Sequence, residues 1–167
     1  MQFLLVVYSF LDANYFYSNN RSINAPITEY LHLDRLSLVN NSLTICNMNI
    51  RSIPKNLQLF KDSVLHDSAV NFDVLGFTET RLQPHLSSLY EIPGYNMFIN
   101  SRNVHGGGVA LYISNNFDSS EQTQLTVSDH FIETIAVEMS IKRKKYLFIC
   151  IYRPQSSNLK QFLLCFE

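Results

Sequence analysis

Residues 43–82 read LTICNMNIRSIPKNLQLFKDSVLHDSAVNFDVLGFTETRL, and the fold follows from how this stretch changes its period. Leu43–Asn49 mixes β-branched and apolar residues in the manner of a strand. Ser52, Ile53 and Pro54 then carry helix-start chemistry, because the N–H that proline lacks has no partner in a first turn anyway. Leu57, Phe60, Val64 and Leu65 recur at helical spacing, which predicts a helix to about residue 70. Asp73–Thr78 is a short, nearly unbroken apolar run of the kind that forms a buried strand. Together these pieces make a β-α-β unit. Its two strands run parallel, so the residues at their carboxyl ends emerge on one rim of the sheet. Asn49 and Glu79 are those residues.

The chain has 167 residues, enough for one domain with a real core. Thirteen Lys and Arg face fourteen Asp and Glu, so the net charge carries no electrostatic footprint for nucleic acid. Only 16% of residues are charged while 46% are hydrophobic, a balance that leaves some of the surface suited to burial. Cys46, Cys150 and Cys165 are odd in number, widely spaced and set in apolar runs. This argues against a disulfide framework or a zinc site and for a reduced, intracellular setting. Met1–Ala13 has a short apolar core ending in a small residue, but it lacks the positive start of a secretory signal, and Asp12 precedes Ala13. No stretch reaches the roughly 18 apolar residues of a membrane-spanning helix, so no membrane partner is expected.

Residues 14–42 are rich in Asn, Ser and Tyr, and Arg21, Glu29, Asp34 and Arg35 are their only charges. Residues 1–42 are therefore read as a poorly ordered extension, in which Tyr30–Leu38 suits either a short helix or an extended packing segment. The composition shift near Asn40 is the domain boundary. Beyond Glu79, a loop from Arg81 closes at Pro93-Gly94 and leads into a strand at Tyr95–Asn100. Gly106-Gly107-Gly108 opens the strand Val109–Ile113. No Lys-Ser or Lys-Thr pair follows and no helix begins there, so the glycines are read as a tight turn or close backbone contact rather than a phosphate loop. Phe131–Ile141 alternates, with Ile135, Val137, Met139 and Ile141 on one face. Lys142–Lys145 joins it to Tyr146–Tyr152 as a hairpin with a basic tip, a solvated turn in the simplest reading and otherwise a phosphate-backbone contact. Asn158–Glu167 is a helix with Leu159, Phe162, Leu163 and Phe166 on one side, an apolar face open to self-association.

The motif order resembles the endonuclease/exonuclease/phosphatase superfamily, and within it the endonuclease domain of non-LTR (LINE-type) retrotransposon polyproteins. The resemblance rests on Asn49-Ile-Arg-Ser-Ile53, Phe77-Thr-Glu-Thr-Arg-Leu82, Ile92-Pro-Gly-Tyr95, Gly106-Gly-Gly-Val-Ala-Leu-Tyr-Ile113 and Ile151-Tyr-Arg-Pro154. Each piece is weak alone; five in the family's order across residues 43–158 are specific. It implies a two-sheet α/β sandwich of the DNase I-like type, of which residues 43–167 hold an incomplete copy lacking its C-terminal part. It assigns Glu79 as the carboxylate ligand of a catalytic Mg²⁺, Asn49 as its neighbour in the metal site, and Tyr152 as a contact to the scissile phosphate. Mg²⁺ takes one or two carboxylates plus water and phosphate oxygens, and stabilises charge on the phosphate undergoing transfer. Asn47 competes with Asn49, since residues two apart share a strand face; the Ile-Arg-Ser-Ile after Asn49 favours Asn49.

The family continues through an Asp-x-Asn pair, a late aspartate and a final Ser-Asp-His, and none follows Pro154 here. Ser128-Asp129-His130 spells the last motif but stands before Tyr152, out of order, and is read as coincidence. The expected function is thus a fragment of a Mg²⁺-dependent DNA endonuclease with little or no activity alone. Its complete parent would act on DNA in the nucleus, nicking a target to prime reverse transcription. The alternatives are a non-catalytic interaction protein built on the half-fold and a secreted phosphodiesterase of the same superfamily.

Overall fold

The computed structural model describes residues 3–8, 32–38, 41–66, 71–102 and 106–166. Its elements are β1 (Phe3–Tyr8), β2 (His32–Leu38), β3 (Asn41–Asn49), α1 (Ile53–Phe60), β4 (Val74–Thr78), β5 (Tyr95–Asn100), β6 (Val109–Ser114), β7 (Asp118–Glu121), β8 (Glu133–Ile141), β9 (Lys144–Tyr152) and α2 (Leu159–Leu164). They form a mixed α/β fold with two sheets, one ordered β1-β9-β8-β7 and the other β2-β3-β4-β6-β5.

The β-α-β unit is present. β3 and β4 pair in parallel, with Asn49 opposite Thr78, one residue before Glu79. The intervening helix differs from the uniform one expected: α1 ends at Phe60 and Lys61–His66 continues as a π-helical turn. Residues 67–70 lie outside the described residues. Ser52 caps α1 by position without a side-chain hydrogen bond, and Pro54 supplies the start. Of the predicted stripe, Leu57, Phe60 and Val64 are buried and Leu65 is only partly so, while Ile53 at the helix start joins the buried set.

Alternation along the strands sorts the core into layers. Ile45, Val74, Val109, Leu111 and Ile113 of one sheet pack on Ile135, Val137, Met139, Phe148 and Cys150 of the other, filling the space between the sheets. The opposite face of β3, β4 and β6 carries Cys46, Met48, Leu75, Phe77, Ala110 and Tyr112, covered by α1. There Phe60 and Tyr112 meet the Phe77 ring edge-on, with centroids 5.0 and 5.6 Å apart. On the far side of the other sheet, Phe162 of α2 closes over Ile132 and Ile151.

Two stretches of the segment expected to be poorly ordered are strands. β2 is antiparallel to β3 and β1 is parallel to β9. Phe3–Tyr8 is an apolar, partly β-branched run, and pairing with β9 gives its backbone groups partners that an isolated chain would lack. Tyr30–Leu38 is therefore extended over His32–Leu38 rather than helical. Asn41 and Ser42 already belong to β3, and the rest of residues 1–42 lies outside the described residues. The loop after Glu79 also holds a 3₁₀ turn at Pro84–Tyr90, and the last helix spans only Leu159–Leu164, with Phe162 as its buried residue.

Candidate functional site

The inner face of each sheet ends in polar groups at one edge of the sandwich. On β3, Leu43 and Ile45 point into the space between the sheets, so Asn47 and Asn49 share that face. Asn47 is buried, and its Oδ1 has no hydrogen bond. Asn49 lies two residues further out, half-buried, with its Oδ1 accepting the Arg51 N–H at 3.0 Å. The competition between the two asparagines is therefore one of depth along the same face.

On β9, Tyr146, Phe148 and Cys150 line the inter-sheet core and Tyr152 continues that face. The Tyr152 hydroxyl donates to Glu79 Oε1 at 3.1 Å, crossing from one sheet to the other. Two residues inward, Cys150 Sγ lies 3.7 Å from the Phe77 carbonyl oxygen. Glu79 keeps 13% of its side-chain surface exposed, and its Oε2 lies 3.6 Å from the guanidinium of Arg81. Burial, and then the Glu79 carboxylate, push the Tyr152 phenol well above its ordinary pKa, so it remains a neutral donor. The structure thus brings Glu79 and Tyr152 into contact and sets Asn49 on the strand beside them.

The loop that carries Glu79 is held in an unusual backbone state. Arg51, Glu79 and Arg81 have φ of 56°, 52° and 49°, in the left-handed region that residues other than glycine seldom enter. Hydrogen bonds from both sides hold it there. Ile50 N donates to the Thr78 carbonyl and Ile53 N to the Thr80 carbonyl, while Thr80 N and Arg81 N donate to the carbonyls of Gly108 and Gly107. Strain of this sort persists only where the surroundings over-determine it, and it collects at functional sites.

The triple glycine is the close backbone contact expected from its sequence context. A Cβ on Gly107 would stand 2.4 Å from Glu133 Oε1, and one on Gly108 would stand 2.4 Å from Thr80 Oγ1. Both glycines also have positive φ, 74° and 86°. Removing the side chains at these positions is what lets the strand-end loops approach closely enough to fix Thr80 and, through it, Glu79.

Glu133 and Arg102 were not singled out from the sequence. Glu133 opens β8 directly opposite Tyr152 in the ladder, and its side chain is 1% exposed. Its Oε2 accepts the Gly108 N–H, and its Oε1 makes a 3.4 Å ion pair with Arg102 that leaves that oxygen without a hydrogen bond. Burial raises its pKa; the Gly108 N–H and the Arg102 charge oppose the rise. The signal was available: Glu133 falls in step with Ile135, Val137, Met139 and Ile141, a carboxylate on a core-facing register.

The basic hairpin tip stands apart from this edge. Ladder pairs run from Glu133–Tyr152 to Ile141–Lys144, so Lys142 and Arg143 lie eight residues along the strands, about 26 Å away. Ser128-Asp129-His130 precedes β8 and is exposed, with the Asp129 carboxylate accepting the backbone N–H of His130. Among the described residues no group of three or more His, Cys, Asp or Glu is arranged to hold a metal ion. Glu79 with Asn49 is a smaller donor set, and it suits Mg²⁺ better than a transition metal. Mg²⁺ is satisfied by one carboxylate with water and phosphate oxygens completing its shell. No helix among the described residues is long and apolar enough to cross a membrane. Neither known family models nor curated proteins provide a match to this chain.

Proposed function

We propose that this edge is part of a Mg²⁺-dependent phosphodiester-hydrolysing centre acting on DNA, and that the chain by itself turns over little or not at all. The observation that carries the proposal is the 3.1 Å contact between Tyr152 and Glu79, made across two sheets at the edge where Asn49 also ends its strand. The order of motifs that resembles LINE-type endonucleases names the same three residues.

In this reading Glu79, with Asn49 beside it, holds the metal. When bound, Mg²⁺ supplies Lewis-acid stabilisation of charge on the phosphate. Tyr152 carries a single hydroxyl proton, donated to Glu79 Oε1 in the structure; once a metal takes that carboxylate, the same proton would turn to a phosphate oxygen. Asn49 Oδ1 accepts the Arg51 N–H with one lone pair and keeps the second for the metal, while its amide N–H groups can donate. Residues 153–167 hold no Asp-x-Asn pair to orient water. General acid–base assistance contributes about 10²–10⁴-fold, and positioning adds to it, so a centre without these groups is expected to be nearly inert.

The test pairs binding with activity. The chain contains no Trp, so Tb³⁺ held at Glu79 reports through tyrosine-sensitised luminescence. Wild type should bind it and Glu79→Gln should not, while supercoiled plasmid with Mg²⁺ stays unnicked. Lanthanide binding that ignores Glu79→Gln removes the metal assignment. Nicking abolished by Glu79→Ala shows instead that the centre is complete.

One observation favours the interaction-protein reading. Leu159, Leu163, Leu164 and Phe166 on and after α2 are each more than half exposed. Sedimentation as a stable monomer across a wide concentration range argues against self-association through them.

A further inference from the structure

Arg102 and Glu133 have no task in the centre as described so far. A buried carboxylate needs a compensating charge, and the plainest account of Arg102 is that it supplies one. The geometry is poor for that purpose alone. The guanidinium approaches Glu133 Oε1 at 3.4 Å without making a hydrogen bond, and a third of the Arg102 side chain remains exposed. A guanidinium carries five donors in a planar fork, a shape that matches the oxygens of a phosphate. Glu133 occupies one side of that fork. Its own position is fixed by the Gly108 N–H and by the bare Cα of Gly107. Glu133 also lies across the ladder from Tyr152, so the guanidinium 3.4 Å from its carboxylate stands at the same edge.

We propose that Arg102 recognises a backbone phosphate of DNA at this edge, and that Glu133 is the positioning residue that aims its guanidinium. This rests on the metal–phosphodiester reading given above, and the two fail in different ways.

The experiment measures binding of a short fluorescein-labelled DNA duplex to the full chain by fluorescence anisotropy over a series of salt concentrations, with Tb³⁺ luminescence recorded on the same variants. Loss of a charged phosphate contact should make Arg102→Gln about tenfold weaker and lower the slope of log affinity against log salt by about one. Arg102→Lys, which keeps the charge and loses the fork, should fall between the two. Glu133→Gln should weaken binding several-fold. Arg143→Gln, at the remote hairpin tip, should change little, and Tb³⁺ binding should survive in both Arg102 variants. If Arg102→Gln is impaired in folding, the Arg102→Gln/Glu133→Gln pair removes the unpaired carboxylate; it should recover the thermal midpoint and leave binding weak.

Duplex binding that is absent in wild type, unchanged in Arg102→Gln, or equally lost in Arg143→Gln overturns the proposal. So does a double variant that recovers binding along with stability, since that assigns Arg102 to charge neutralisation. Failure of Glu79-dependent Tb³⁺ binding strikes the metal reading and leaves the Arg102 comparison to be judged by the duplex data.

Discussion

Tyr152 and Glu79 lie seventy-three positions apart in the chain and meet through a 3.1 Å hydrogen bond that ties the end of β9 to the loop after β4. The acceptor is a carboxylate with only 13% of its side-chain surface exposed, so the bond is charge-assisted and mostly shielded. Tyr152→Phe should therefore lower unfolding free energy by about 1–2 kcal/mol. Combined with Glu79→Gln in a double-mutant cycle, it should show a coupling of about 1 kcal/mol in urea denaturation. A coupling near zero means that the phenol is satisfied by water instead.

Gly107 has no room for a side chain. A Cβ there meets the Glu133 carboxylate at 2.4 Å, whereas the same atom on Gly94 meets nothing within 4 Å; their φ values, 74° and 87°, are alike. Backbone strain is thus common to both, and the collision belongs to Gly107 alone. Gly94→Ala should cost about 1 kcal/mol and Gly107→Ala about 2–4 kcal/mol, read from paired denaturation curves. Equal losses would show that Glu133 moves aside freely and does not clamp the glycine loop.

Burial pushes the thiols of Cys46 and Cys150 from 9.0 up to about 12, while Cys165 is exposed. A thiol-specific reagent at mildly alkaline pH should label one cysteine quickly in the folded chain and all three in denaturant. The linkage has a definite sign. The folded thiols keep protons that the unfolded chain releases, so their contribution to stability is complete below the unfolded value and declines as pH rises toward about 12. Each thiol steepens the fall by up to about 1.4 kcal/mol per pH unit, and Cys150→Ala should flatten it. A folded state that labels two or three thiols at once would mean that the inter-sheet core opens readily.

Much of the site's scaffold was legible because it is local. The parallel pair, the stripe Leu57, Phe60 and Val64, and the face Ile135, Val137, Met139 and Ile141 are read from periods of 3.6 and 2, and the structure keeps them, with Leu65 of the same stripe only partly buried. The end of α1 at Phe60 was not, since the stripe continues through the π-helical turn and the period does not register the change. Nor was the strand nature of Phe3–Tyr8, whose partner β9 begins well over a hundred residues later.

The amino-acid order alone settles which faces of β3 and β4 turn inward and that Asn49 and Glu79 stand at the ends of neighbouring strands, because short-range periodicity and crossover handedness leave little choice. Folding in three dimensions decides which strand ends meet. Only the packing of one sheet on the other sets Tyr152 against Glu79 and buries Glu133 between Gly107, Gly108 and Arg102. These contacts join residues whose local sequences carry no record of each other, and they form because two apolar faces must close together to exclude water.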